Sequence, residues 1–415
     1  MFILILISLF APLHSADVLT WDTCIKEATI NNPDLKAARE NVDVFKYKRK
    51  ALWSEYLPGV TAGLDGSYDK GSSRSNFITT NPSYSASLTV SQNIFNGFQS
   101  VGKLRESEGN IESQEASYQS IRSTVSYKLM SAYAQVLYAK NFVKLTEDII
   151  KRRTDNLNLV KLHFEGGMEN KGSYLLAKAS LEEAVYDNDQ ANRLVESSRQ
   201  QLAAVLGRKE LAGEVDIDDK MPNNEPENNI NLEQLALSTP QYKISQAQVK
   251  INKADLTIAR SNFYPSLDFV GGITQQGSRW PFPSSGWSAM LGLTFPLFNG
   301  GRDLFGTYSS ASLLSASMFS QDSTDLQLLY SLRQAYNSLK DAIERVKVYE
   351  SYVIAASTRA IIARGKYNNG LMDFENWDII ETDLITKQKT AVQTVLNRYI
   401  AEATWLNTQG KGVIQ

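Results

Sequence analysis

Four stretches of this chain alternate apolar and polar side chains with a period of two. In 57–69, Val60, Ala62, Leu64, Gly66 and Tyr68 fall on one face, and Thr61, Gly63, Asp65 and Ser67 on the other. In 83–95, Tyr84, Ala86, Leu88, Val90 and Ile94 oppose Ser83, Ser85, Ser87, Thr89, Ser91 and Asn93. Segments 264–276 and 286–298 repeat the pattern: Leu267, Phe269 and Ile273 against Ser266, Asp268 and Thr274, then Trp287, Ala289, Leu291 and Leu293 against Ser288, Met290, Gly292 and Thr294. Period two predicts strands with one apolar face. The polar loop after 69 and the Asn96-Gly97 dipeptide bound the first pair.

Elsewhere the period changes. From 99 to 164 and from 302 to 367 there is no proline, and most glycines lie near the start. The second stretch carries Leu332, Ala335, Leu339, Ala342, Val346, Tyr349, Val353, Ala356, Ala360, Ala363 and Tyr367 at spacings of three and four. That is a heptad seam. The first places Leu129, Ala132, Val136, Ala139, Val143, Ile150, Leu157, Val160 and Phe164 on the same frame, interrupted by Thr146 and Arg153. Helices of this length run roughly 100 Å at 1.5 Å per residue. Shorter helices are predicted at 20–32, from Pro33 to about Glu55, at 170–206 and at 372–408, the second opened by Asn32-Pro33.

These elements come in two copies. Asn32-Pro33 matches Thr239-Pro240, and Tyr56-Leu57-Pro58 matches Phe263-Tyr264-Pro265, at an offset of 207. Later the offset is 203: Ile94-Phe95-Asn96-Gly97 with Leu297-Phe298-Asn299-Gly300, Gly167 with Gly370, Gly207 with Gly410. So long a period means duplication of a whole unit, helix–β-hairpin–long helix–helix. The expected organisation is a first repeat over 17–207, an irregular linker over 208–229, a second repeat over 230–410 and a tail over 411–415.

Residues 1–16 are apolar and end in small residues, which reads as a secretory signal peptide cleaved near Ala16-Asp17. No later run reaches the roughly 18 apolar residues of a transmembrane helix. A membrane-spanning form must therefore be a barrel. Strands of this length cross a bilayer when tilted, and Tyr84 and Trp287 lie at equivalent places near the loop end of the apolar faces, where a headgroup boundary suits aromatic rings. Four strands cannot close, since eight is the practical minimum. An open sheet leaves unpaired backbone in lipid, so the chain would have to oligomerise. A soluble sandwich with an ordinary core face remains the other reading of the strands.

A net charge of −2 gives no basic footprint for nucleic acid. The histidines are His14, in the leader, and His163, near a turn. No phosphate loop, nucleophile motif or metal-ligand cluster is present, so neither an enzyme nor a cofactor is expected. Cys24 is the only cysteine, which excludes an internal disulfide, and it reads as a small buried residue.

The duplicated pattern, the Asn-Pro opening, the Tyr-Leu-Pro and Tyr-Pro-Ser strand starts, the Ile-Phe-Asn-Gly and Leu-Phe-Asn-Gly-Gly strand ends and the glycine turns together resemble the TolC outer-membrane channel family. The resemblance implies a mixed α+β membrane protein. It implies a homotrimer whose twelve-stranded transmembrane β-barrel in outer-membrane lipid continues into a periplasmic α-helical barrel. Implied partners are a periplasmic adaptor and an inner-membrane efflux transporter or ABC exporter. The implied role is a passive exit duct for efflux or type I secretion. Adaptor docking would map to the turns at Gly166, Gly167 and Met168, and at Asn369, Gly370 and Leu371. A periplasmic constriction would map first to Asp378, then Glu375, with Asp373 also a candidate. The family's aspartate positions align here with Asn376 and Ile379, so the acid is displaced. Ser85, Ser87, Thr89, Ser91, Ser288 and Thr294 would line the lumen. The competing reading is a secreted coiled-coil structural or adhesin-like protein. It shares the heptads but leaves the matched strand pairs unexplained.

Overall fold

The computed structural model describes residues 18–72, 78–209, 216–218, 220–223, 225–226 and 230–414, so the leader reading of 1–16 lies outside it. The elements follow in order: β1 (Val18–Leu19), α1 (Trp21–Asn31), α2 (Pro33–Leu52), a 3-10 turn (Trp53–Tyr56), β2 (Gly59–Ser72), β3 (Ile78–Asn96), α3 (Gln99–Glu165) and α4 (Lys171–Leu206). Then come β4 (Asp216–Ile217), α5 (Leu232–Ser238), α6 (Pro240–Ser261), β5 (Ser266–Gly277), β6 (Ser284–Thr294), α7 (Arg302–Asn368) and α8 (Phe374–Thr408). No helix is long and apolar enough to cross a membrane, among the described residues. The chain divides into two compact units, and each takes segments from both repeats.

One unit (39–118 and 240–326) holds a four-stranded antiparallel sheet in the order β2-β3-β5-β6. Its register keeps like with like. Thr61, Thr89 and Gly272 align, as do Gly63, Ser87 and Thr274, while Ala62, Leu88, Ile273 and Trp287 align on the opposite face. A one-residue slip would exchange the faces. The pairing of β3 with β5 shifts between Asn93 and Phe95. Phe95, rather than Ile94, therefore stands opposite Leu267, because the bulge adds a residue to one strand. Below the strands, Glu55 accepts from Lys103 Nζ and Ser100 Oγ, both at 2.7 Å. α6 packs closely on α3: a Cβ at Gly102 or Gly109 would meet the side chains of Ile258 and Ile251 at 2.6 and 2.8 Å.

The other unit (18–38, 119–239 and 327–415) is built on the helix seams. Leu129, Ala132, Val136, Leu332 and Leu339 are buried, as the heptads require. Alanines at 177, 184 and 191 make the same seam on α4. Cys24 is fully buried, and burial, then Glu27, push its thiol up to about 11. β1 pairs in parallel with β4. Asp216 fixes that pairing by accepting from Lys140 at 3.2 Å, Arg199 at 3.1 Å and the Ile217 N–H at 3.0 Å. Burial alone would raise the Asp216 pKa, but these donors outweigh it and hold the carboxyl below its usual range.

Every left-handed residue described has a partner in the other copy at the same offset of 203: Gly97 with Gly300, Phe98 with Gly301, Gly167 with Gly370, Gly207 with Gly410. Phe98 is the one residue of the set with a side chain, at φ +70. It is held by edge-on contacts with Phe95 and Tyr264. Gly207 has a second constraint, since a Cβ there would meet the Asn31 carbonyl oxygen at 2.6 Å.

Two outcomes are expected in denaturant titrations of the detergent-solubilised protein. Gly167→Ala, with nothing within 4 Å, should cost about 1 kcal/mol from backbone strain alone. Gly207→Ala should cost about 3 kcal/mol, because the clash adds to the strain. Equal effects would contradict the close approach. Asp216 should make stability acid-sensitive. Its depressed pKa contributes stability above the unfolded carboxyl value near pH 4, lost as pH falls through the lower folded value. Melting curves of Asp216→Asn should flatten in that window.

Candidate functional site

The two helix-reversing turns are near copies. In the first, the Met168 N–H reaches the His163 carbonyl at 2.8 Å and the Gly167 N–H reaches Phe164 at 3.0 Å. In the second, Leu371 N–H reaches Lys366 at 2.8 Å and Gly370 N–H reaches Tyr367 at 3.0 Å. Both are Schellman caps, with glycine supplying the left-handed residue. The following helices begin alike: Asn170 accepts from the Ser173 N–H at 3.0 Å, and Asp373 from the Asn376 N–H at 2.7 Å. Each turn ends on an exposed apolar side chain, Met168 at 70% and Leu371 at 76%.

Behind these turns lies an aromatic cluster. Tyr367 stacks on Trp377 at 4.3 Å, with Phe374 edge-on to Trp377 and the His163 ring 5.0 Å from Tyr367. The Tyr367 hydroxyl donates to Glu169 Oε2 at 3.1 Å. Burial first, then the Glu169 charge, push that phenol far above its usual range, so it stays a donor.

The acidic residues at the start of α8 differ in role. Asp373 is the exposed N-cap, and the Asn376 backbone and side-chain donors lower its pKa. Glu375 is exposed in the first turn. Asp378 is not free: Arg153 on α3 donates to its Oδ1 at 2.8 Å and to Thr382 Oγ1 at 3.0 Å. Next to it, the buried Glu381 lies 3.7 Å from Arg152. Asp383 lies 3.8 Å from both Arg359 and Lys387. Arg153 interrupts the α3 seam, and this is why: its guanidinium crosses to α8. Thr146, the other interruption, donates its hydroxyl to Asn188 Oδ1 at 2.9 Å. The partners of Arg153 and Thr146 are 225 and 42 residues away along the chain, beyond the reach of a local pattern.

The strand residues Ser85, Ser87, Thr89, Ser91, Ser288 and Thr294 share one face of the sheet. No group of three or more metal-ligating side chains occurs among the described residues.

The profile of the outer membrane efflux protein family matches residues 24–208 and 231–406, and the chain belongs to that family. Its members are channel proteins of the outer membrane, not enzymes. The toluene efflux pump outer membrane protein TtgC of Pseudomonas putida is 23% identical over 83% of this chain and 75% of its own. The outer membrane protein TolC of Escherichia coli is 23% identical over 83% of this chain and 73% of its own. Among solved structures, VceC of Vibrio cholerae superposes with a TM-score of 0.84 at 16% identity, covering 95% of this chain and 96% of that one. The outer-membrane channel OprN superposes at 0.82 and 18% identity, covering 94% and 90%. The fold is thus that of TolC-family channels, mixed α and β and mostly helical, and the protein resides in the outer membrane.

Arg153→Ala is expected to cost about 1–3 kcal/mol, because it leaves a partly buried carboxylate without its cation. A double-mutant cycle with Asp378→Asn should show coupling on the order of 1–3 kcal/mol. Additive single effects would mean that the pair carries no net interaction.

Proposed function

We propose that the chain is the outer-membrane exit duct of a tripartite efflux assembly. It closes as a homotrimer around a twelve-stranded barrel and conducts passively, while an inner-membrane transporter supplies the energy. Service to a type I secretion exporter uses the same duct, since the inner-membrane partner selects the cargo. The observation that carries the reading is the sheet. It has four strands, a coherent apolar face and two unpaired edges, β2 and β6. All its pairings are antiparallel, so β2 and β6 run in opposite directions. The β6 edge of one copy can therefore pair antiparallel with the β2 edge of the next, as outer-membrane barrels do. Three copies give twelve strands, above the closure minimum of about eight.

The apolar face then meets lipid. The face with Ser85, Ser87, Thr89, Ser91, Ser288 and Thr294 lines the water-filled lumen. The turns at Gly166, Gly167 and Met168 and at Asn369, Gly370 and Leu371 dock the periplasmic adaptor, with Met168 and Leu371 as the apolar contacts. The constriction lies at the start of α8. There Glu375 and Asp373 present exposed carboxylates, while Asp378 is tied to α3 by Arg153. The coiled-coil adhesin reading offers no use for the two-faced sheet, and the family match disfavours it.

Reconstitution into a planar bilayer tests the duct: discrete conductance steps are expected, and their absence would favour the coiled-coil reading. Replacing Met168 and Leu371 together by Asp should weaken capture of the adaptor about tenfold, as loss of apolar anchors does, with the oligomer intact. Unchanged capture would move docking away from the turns.

A further inference from the structure

The strands are almost without charge. On the polar face, the described side chains of 59–68, 83–93, 266–276 and 284–294 include two ionisable groups, Asp65 and Asp268, and no lysine or arginine. The apolar face of the same segments carries no aspartate, glutamate, lysine or arginine. Among the described side chains of the sheet, both acids therefore lack a countercharge. They sit at two levels of the sheet. Asp268 lies two residues from the start of β5, and Asp65 lies beside Ser85, toward the hairpin tips. Asp268 is also held in place, since Asn93 Nδ2 donates to its Oδ1 at 2.6 Å. Asn93 borders the bulge of β3, the kind of irregularity that re-aims a side chain. The acids at the start of α8 are mixed: Asp378 and Asp383 have cationic partners within the chain, while Asp373 and Glu375 are exposed.

We propose that Asp65 and Asp268 are specificity-determining residues that give the duct a cation preference from the barrel wall, at two levels. The proposal rests on the trimeric reading above, in which three-fold symmetry turns each into a ring of three. Strands about 4.8 Å apart and tilted roughly 40° give a twelve-stranded barrel a backbone radius of about 12 Å. The carboxylates then stand close to one Debye length, about 10 Å at 0.1 M salt, from the axis. At that distance an uncompensated ring enriches cations and depletes anions, and at about 1 M, where the Debye length is about 3 Å, it does neither. The small residues between the rings (Gly63, Ser87, Gly272, Ser288) add no charge that would mask them.

Reversal potentials of the purified full-length protein in a planar bilayer under a KCl gradient near 0.1 M test this. The wild type should prefer K+ over Cl−, less so toward 1 M salt. Asp65→Asn and Asp268→Asn should each lower the permeability ratio roughly two- to fourfold by the Coulomb and screening arithmetic. Asp268→Lys should shift the reversal potential toward Cl−. Normal conductance steps with unchanged reversal potentials in the double Asn variant would overturn the proposal while leaving the duct intact. Absence of conductance steps in the wild type would overturn the duct reading itself, and this inference with it.

Discussion

A backbone N–H or C=O group inside a hydrocarbon layer has no water to bond, and each one left unpaired costs several kcal/mol. The rest of this protein's organisation depends on that constraint. Its sheet pairs β2 with β3, β3 with β5 and β5 with β6, and stops there. Two edges remain open. In the trimeric duct proposed above, other copies of the chain close these edges. An even number of strands with alternating direction lets identical copies close head to tail without a mismatch.

Duplication shaped the chain, and the two copies have since diverged around a shared geometric frame. The left-handed positions are the record of it: four in each copy, all in register. At three of the four, both copies keep glycine, and at the fourth one copy carries Phe98. The turns at 163–168 and 366–371 keep the same cap geometry with different residues around the glycine, and both leave an apolar side chain exposed. Conserved backbone shape with changed side chains is what is expected when each copy keeps the turn but faces a different surface.

Much of this was legible in the sequence because it is periodic. The alternation in 83–95 and the heptads from Leu332 to Tyr367 each encode a local geometry, but strand ends are less well marked: β2 and β3 run on to Ser72 and from Ile78 into the expected polar loop, and the strand expected at 286–298 stops at Thr294. What the sequence did not reveal depends on distance or on a single residue. The bulge that puts Phe95 opposite Leu267 is a one-residue shift with no compositional mark. The two-residue pairing of β1 with β4 is too short to carry a period. Asp378 was legible as an acid near the second turn, but its pairing with Arg153 joins distant parts of the chain. The seam interruptions were the available signal: a buried position that breaks a heptad with a charge needs a partner. The residue to search for was an acid on a facing helix.

The most direct test of the account is whether β6 of one copy pairs with β2 of another. With Cys24 replaced by Ala, single cysteines would be placed along Gly59–Ser72 and Ser284–Thr294 in pairwise combination and oxidised in outer membranes. A ladder of covalent dimers and trimers is expected for pairs in one consistent antiparallel register, and none for pairs one residue out of it. Monomers for every combination, with the protein still in the membrane fraction, would contradict closure between copies.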